Sequence, residues 1–253
     1  DQKMKYPVYL TSRANQTVKE FARMAQSPDS GFFLVEGKHF VSDLDPSLIK
    51  AVLICGEEKN IKEKEEFLRL GVPVYIITEP IAEKISSTKN AQEIMAFTSK
   101  KGSPRPDRLV LLDKIQDPGN MGTIIRSAAA FGFGVIYSDG SANPFSAKSV
   151  RSSAGTLQKC YIEKADIAEK TKELVSEGFS VFSAELHKEA VTPDEIENGG
   201  KIAFIIGNES TGVSAEASDA AGKRVFIPIS PDAESLNAAA AATILMYRFG
   251  KRG

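Results

Sequence analysis

Three short stretches in the second half of this 253-residue chain concentrate side chains able to bind and orient a polar ligand. The first is Asp117-Pro118-Gly119-Asn120-Met121-Gly122, leading to Arg126. The second is Ile205-Ile206-Gly207-Asn208-Glu209-Ser210-Thr211-Gly212. The third joins Ile227-Pro228-Ile229 to Ser235-Leu236-Asn237. Each follows an apolar run that reads as a buried strand, so the three loops are expected at one edge of one sheet. Open α/β folds bind their ligands at that edge.

Pro118-Gly119 closes the connection from a strand, and Asn120 is well suited to cap the helix that follows. Arg126 interrupts the apolar and small residues Ile124, Ile125, Ala128, Ala129 and Phe131. It either snorkels to solvent or binds an anion. Six residues at ~100° each set it about 120° from Asn120 around the helix, so the two share no face but can still border one pocket. The second stretch lacks the lysine of a phosphate loop. Its exposed backbone groups, beside Ile206, suit a neutral adenine and ribose. Glu209 adds a carboxylate that favours a cationic ligand or caps a helix near Val213–Ala217. Ser235 and Asn237 stand where a helix begins, a position that suits a phosphate or a ribose hydroxyl. Alternatively, Ser235 is simply a cap. The following run, Ala238 to Ala242, is slender and strongly helix-forming, and allows close backbone approach.

These loops need a scaffold, and the patterning supplies one. The segment Thr98-Ser99-Lys100-Lys101-Gly102-Ser103-Pro104-Arg105-Pro106 reads as a linker. It divides the chain into expected domains 1–104 and 105–253. Before it, strands are expected at 32–35, 51–54, 74–77 and 94–97, with helices near 17–24, 37–43, 59–70 and 81–85. This is a small α/β sandwich of three or four strands. After it, strands are expected at 109–112, 134–137, 179–183, 203–206 and 225–227, with helices at 121–131, 166–176 and 236–249. Runs such as Leu109-Val110-Leu111-Leu112 require burial on both faces, as in a parallel, doubly covered sheet.

Composition excludes several classes. Hydrophobic residues make up 42% and charged residues 26%, which is ordinary for a globular chain. The net charge of −1 gives no general attraction to nucleic acid. The part up to Arg105 is slightly more basic than the rest. Cys55 and Cys160 are expected as buried thiols, which fits a reducing cytoplasm. His39 and His187 have no ligand-like neighbours, so no metal site is expected. No apolar run approaches the ~20 residues of a membrane span, and no leader-like segment opens the chain.

The three stretches together resemble the SpoU (TrmH-like) RNA ribose methyltransferases of the SPOUT class over about Leu109–Phe249. Thr11-Ser12-Arg13-Ala14-Asn15 and Gly31-Phe32-Phe33-Leu34-Val35-Glu36-Gly37 resemble that family's N-terminal partner, a small α/β RNA-binding domain. The resemblance implies a trefoil-knotted catalytic domain, S-adenosyl-L-methionine as cofactor, a homodimer, and an RNA substrate, ribosomal sooner than transfer RNA. By the same likeness Gly207, Ile227 and Leu236 match the cofactor contacts, and Ile206, Asn208, Glu209 and Ile229 line the same loops. Asn120, Arg126, Ser235 and Asn237 match the polar residues around the reacting ribose.

The implied reaction is transfer of the sulfonium methyl to a ribose 2′-oxygen. In that family the arginine matching Arg126 is assigned as base. A guanidinium with a pKa above ~12 holds its proton, and a phosphate neighbour tightens that hold. Arg126 is therefore read as a phosphate clamp that orients the hydroxyl. Two other readings stand beside this one: a non-catalytic RNA-binding protein, which the intact Asn120, Arg126 and Asn237 disfavour, and a nucleotide-dependent enzyme of ordinary α/β topology, which the absent phosphate-loop lysine and dinucleotide glycines disfavour.

Overall fold

The computed structural model describes residues 6–27, 30–88, 90–197 and 199–251. The chain divides into two compact units, residues 1–101 and 102–253.

The first unit runs β1 (Val8–Leu10), α1 (Gln16–Gln26), β2 (Phe32–Glu36), α2 (Lys38–Ser42), β3 (Ile49–Cys55), α3 (Ile61–Arg69), β4 (Val74–Ile77), α4 (Glu79–Ile85) and β5 (Ile94–Ser99). Its sheet has the order β1-β4-β3-β5-β2. The first three of these strands are mutually parallel, whereas β5 runs antiparallel to both β3 and β2. The sequence suggests three or four strands here. The fifth, β1, has only three residues, too few for its alternation to register. Phe21 stacks on Phe97 and meets Tyr75 edge-on, with centroids 5.3 and 5.1 Å apart. These rings seat α1 on the sheet, and Asn15 caps that helix through the Thr17 amide.

The second unit runs β6 (Arg108–Asp113), α5 (Pro118–Phe131), β7 (Gly134–Tyr137), α6 (Ala147–Ser152), β8 (Ile162–Lys164), α7 (Ile167–Ser176), β9 (Ser180–Ala184), β10 (Ile202–Gly207), α8 (Ala215–Ala221), β11 (Lys223–Val225) and α9 (Ala238–Phe249). Its six strands, ordered β11-β9-β10-β6-β7-β8, are all parallel. The expected doubly covered parallel sheet is therefore what forms. Alternate residues of β6 explain the continuous apolar run. Leu109 and Leu111 join Ile167, Leu174, Ala217 and Ala221 in one core cluster. On β10, Phe204 packs on Phe249 of α9, with centroids 5.0 Å apart.

Strand order reverses between β6 and β10. The chain leaves β6 toward β7 and β8, then returns on the other side, so the loops after β6 and β10 flank a crevice. Helices α5 and α9 run side by side along their lengths. Ser127 Oγ lies 2.8 Å from Thr243 Oγ1, and the Lys251 amide donates to the Phe131 carbonyl at 3.2 Å. Strand β11 ends at Val225, two residues short of the expected end at Ile227. Beyond it Pro228 and Pro231 supply no N–H for a ladder, and residues 226–237 cross the strand ends without regular structure.

Candidate active site

The loop after β6 is built under constraint. Lys114 adopts a left-handed conformation at φ 59°. Its amide donates to Ser138 Oγ at 2.8 Å. Its carbonyl accepts from Asn208 Nδ2, also at 2.8 Å. Side chains from two neighbouring loops thus fix both backbone groups of a strained residue.

Asn120 does not cap α5. Asp117 does so, accepting from the Asn120 amide at 2.8 Å, with Pro118 in the first helical turn. The reason is geometric: proline fixes the helical φ from position 118, so the cap must precede it. That amide bond, followed by Lys148 Nζ at 3.1 Å, holds the Asp117 carboxyl below the usual range. The Asn120 side chain is thereby left free to face the crevice. One turn into the helix, a side chain at Gly122 would collide with the Ser149 carbonyl and Ser152 of α6, so this glycine admits the neighbouring helix.

After β10 the chain folds into a tight closure. Asn208 and Gly212 exchange two backbone bonds, of 3.0 and 2.9 Å, and Asn208 Oδ1 accepts from the Ser210 and Thr211 amides. A Cβ on Gly207 would overlap the backbone of Gly212 and Val213. Glu209 is thus carried outward on a rigid loop. It is not a capping acid: Ser214 occupies the cap position of α8, and its amide donates to Asp113 Oδ2 at 2.8 Å.

Asn237, not Ser235, caps α9, accepting from the Ala239 and Ala240 amides at 2.9 and 3.2 Å. Those two donors consume its oxygen and orient its amide nitrogen outward. Asn237 Nδ2 then donates to Asn120 Oδ1 at 3.1 Å, and Asn120 Nδ2 donates to Glu209 Oε1 at 2.8 Å. The relay has a fixed polarity, set by backbone amides at one end and a carboxylate at the other. It joins one residue from each of the three loops.

Beside β9 and β11 lies a cavity of about 550 Å³ whose walls include Ile227, Ile229, Ser235 and Leu236. Leu186 and Glu185, which follow β9, complete one side. Ile206 is buried within β10 opposite Leu112 and supports the loop from below. Arg126 is exposed on α5 and has no hydrogen bond or ion pair with any described residue. The geometry thus ties Asn120, Glu209 and Asn237 together, groups Ile227, Ile229, Ser235 and Leu236 around one cavity, and leaves Arg126 unattached.

Sequence reading assigned Glu185 and Lys114 no role, and it placed Asp117 in the first motif without its role as the cap. Asp117 was visible as an acid three residues before Asn120 and directly before a proline. Glu185 carried only the weaker signal of a charge at the end of an expected strand. Among the described residues no three His, Cys, Asp or Glu side chains converge as a metal site, and no helix is long and apolar enough to cross a membrane.

A wholly parallel sheet with a polar relay at its switch point defines an α/β ligand-binding domain of the enzyme type. Residues 107–247 match the SpoU rRNA methylase family, and residues 15–96 match the MRM3-like substrate binding domain. The chain belongs to the SpoU rRNA methylase family. It is 31% identical to the 23S rRNA (guanosine(2553)-2′-O)-methyltransferase RlmP of Bacillus subtilis, covering 94% of this chain and 97% of that protein. Its fold superposes on the AdoMet-bound rRNA methyltransferase of Sinorhizobium meliloti with a TM-score of 0.80, at 27% identity, over 95% of this chain and 96% of that one. The SpoU methyltransferase AviRb of Streptomyces viridochromogenes, in complex with AdoMet, gives 0.76 at 25% identity, over 92% and 96%.

Proposed function

We propose that this chain transfers the methyl group of S-adenosylmethionine to a ribose 2′-hydroxyl of ribosomal RNA. The observation that carries the reading is the relay from Asn237 through Asn120 to Glu209, which unites three loops at the switch point beside a cavity. The kinship with RlmP supports ribosomal RNA as the substrate class.

The cavity suits the cofactor chemically. Ile227, Ile229 and Leu236 offer apolar contact for a purine, while Glu185, Glu234 and Ser235 offer polar contact for its ribose and amino acid portions. When bound, the cofactor supplies an electrophilic methyl on a sulfonium. Everything else falls to the chain. Ser235, Asn237 and Asn120 hold the ribose and the donor in a common geometry. Gly207 and Asn208 keep the loop closed, and Ile206 supports it. Arg126 binds a substrate phosphate through its planar fork and orients the 2′-hydroxyl, so its effect is positioning.

Residues 1–104 act as the RNA-binding domain and residues 105–253 as the methyltransferase domain. The crossing of residues 226–237 over the strand ends, from β11 at the sheet edge back to α9 beside α5, suits the family's trefoil knot. The protein acts as a cytoplasmic homodimer. Ile244 and Tyr247 of α9 are 40% and 59% exposed, and Phe131 of α5 meets Tyr247 edge-on. This apolar strip borders the helix carrying Arg126, and a second copy covers it.

Mapping 2′-O-methyl groups in total RNA from cells with and without the gene tests the reading. One ribosomal position is expected to lose its methyl group, and an unchanged map refutes the proposal. With the identified RNA, Arg126→Lys lowers methylation at least tenfold, and near-normal activity removes the need for the fork. The matching DNA oligonucleotide is inert because it lacks the accepting hydroxyl.

A further inference from the structure

Glu185 follows β9 and forms part of the cavity wall, yet none of the three loops contains it. Its amide donates to the Val225 carbonyl at 3.0 Å, which locks this turn to β11. One carboxylate oxygen, Oε1, receives Ser183 Oγ at 2.5 Å, Ser218 Oγ at a shorter separation, and Arg224 Nε at 3.2 Å. The two serines are buried in β9 and α8, so the carboxylate is held from strand, helix and edge strand at once. The other oxygen, Oε2, accepts nothing from any described residue. Nor is it sealed away, for it is absent from the buried atoms without a partner and the side chain keeps 27% exposure.

We infer that Glu185 is a cofactor-binding residue whose Oε2 accepts a hydrogen bond from a ribose hydroxyl of the nucleoside in this cavity. The inference rests on the proposed reading of the cavity as the S-adenosylmethionine site. Burial works against the charge on Glu185, but the bonds from Ser183, Ser218 and Arg224 outweigh it and hold the carboxyl below its usual range. At neutral pH the group is ionised and can only accept. Its ligand must therefore be a donor.

Charge selects which donor. Arg224, with an 18% exposed side chain, is the sheltered counter-ion of Glu185. The remaining acids near that guanidinium, Glu189 and Asp219, are 67% and 79% exposed, and water screens them. The carboxylate is thus locally neutralised and gains little from attracting a cation, while its geometry is fixed in advance for a neutral hydroxyl. The adjoining walls, Ile227, Ile229 and Leu236, are apolar and offer no competing hydrogen-bond partner for that hydroxyl.

Calorimetric binding of S-adenosylmethionine and S-adenosylhomocysteine to the full-length protein tests this, since both ligands share the ribose and only the first carries the sulfonium. Glu185→Gln is expected to weaken both by a similar factor of about ten or more. On the unaltered protein, the 2′-deoxy or the 3′-deoxy analogue of S-adenosylhomocysteine is expected to lose a comparable factor. That loss should not add to the effect of Glu185→Gln, because both remove one bond. Equal affinities of Glu185→Gln and the unaltered protein overturn the inference, as does a loss confined to S-adenosylmethionine, which would assign Glu185 to the sulfonium. Should the variant fail to fold, the deoxy analogues decide alone, and parent-like affinity for both of them overturns it. If the unaltered protein binds neither parent ligand, the reading of the cavity itself falls and takes this inference with it.

Discussion

Two asparagines, one in each unit, make contrasting use of the same side chain. Asn60, at the start of α3, is buried and spends its amide nitrogen on the Cys55 carbonyl at 3.3 Å, the Gly56 carbonyl at 3.1 Å and Glu93 Oε2 at 3.2 Å. It closes a turn onto itself. Asn120, half-buried, bonds only to other side chains, and these come from loops 89 and 117 residues away. The first arrangement commits the amide nitrogen to two local carbonyls and one carboxylate of the same unit. The second draws distant segments to one point and keeps them partly open to solvent. The same contrast separates the sheets. In the first unit the antiparallel β5 lies between β3 and β2, so neighbouring strands do not send all their following loops to one edge. In the second, six parallel strands send every following loop the same way.

Substitutions at four positions test that contrast. Asn120→Ala should lower methyl transfer about 100-fold, on the order of 2.7 kcal/mol in the barrier, while the melting temperature hardly moves. An equal loss of stability and activity would make Asn120 a structural residue like Asn60. Asn60→Ala should do the reverse. It removes the bonds to the Cys55 and Gly56 carbonyls and to the exposed Glu93 carboxylate, costing roughly 1–3 kcal/mol in urea unfolding, with methylation of folded protein unaltered.

Asp117→Ala removes the cap of α5 and should cost about 1 kcal/mol. Its pH dependence follows from the sign of the shift. The folded carboxyl titrates below the ordinary range of an aspartate, so the cap contributes fully above that range. The contribution is lost as pH falls through the depressed folded value. Unfolding curves of Asp117→Asn and the unaltered protein should therefore converge in strong acid and separate near neutrality. A constant gap would mean that charge plays no part.

The smallest effect is expected at Lys114. Replacing a lysine held at φ 59° by glycine relieves strain and should raise stability by about 0.5 kcal/mol. A destabilised Lys114→Gly would show that the lysine side chain makes up for its backbone.

Much of the scaffold was legible in the chain. The strand at Val74–Ile77 has the expected bounds, and the runs around Leu109–Leu112 and Ala203–Ile206 had the length and continuous apolarity that a doubly covered sheet demands. Short elements escaped. Strands β1 and β8 have three residues each, too few for any period to show. The helix starts were only partly legible by residue type, since Asn120 and Ser235 stood as possible caps where Asp117 and Asn237 fill that role. Glu185 gave little signal for another reason. Its significance lies in Ser183, Ser218 and Arg224 meeting one oxygen, and no spacing along the chain encodes that meeting.

The chain alone settled which segments are apolar enough to become strands and where prolines and glycines break them, because these depend on neighbours a few residues apart. It also carried the three motifs that mark the family. Tertiary structure alone decided that Asn237, Asn120 and Glu209 form one directed relay and that Glu185, outside every motif, lines the cavity with its carboxylate held by Ser183, Ser218 and Arg224. Those contacts arise from strand order and helix packing, which bring together groups separated by tens of residues whose mutual distance is set only once the sheet has closed.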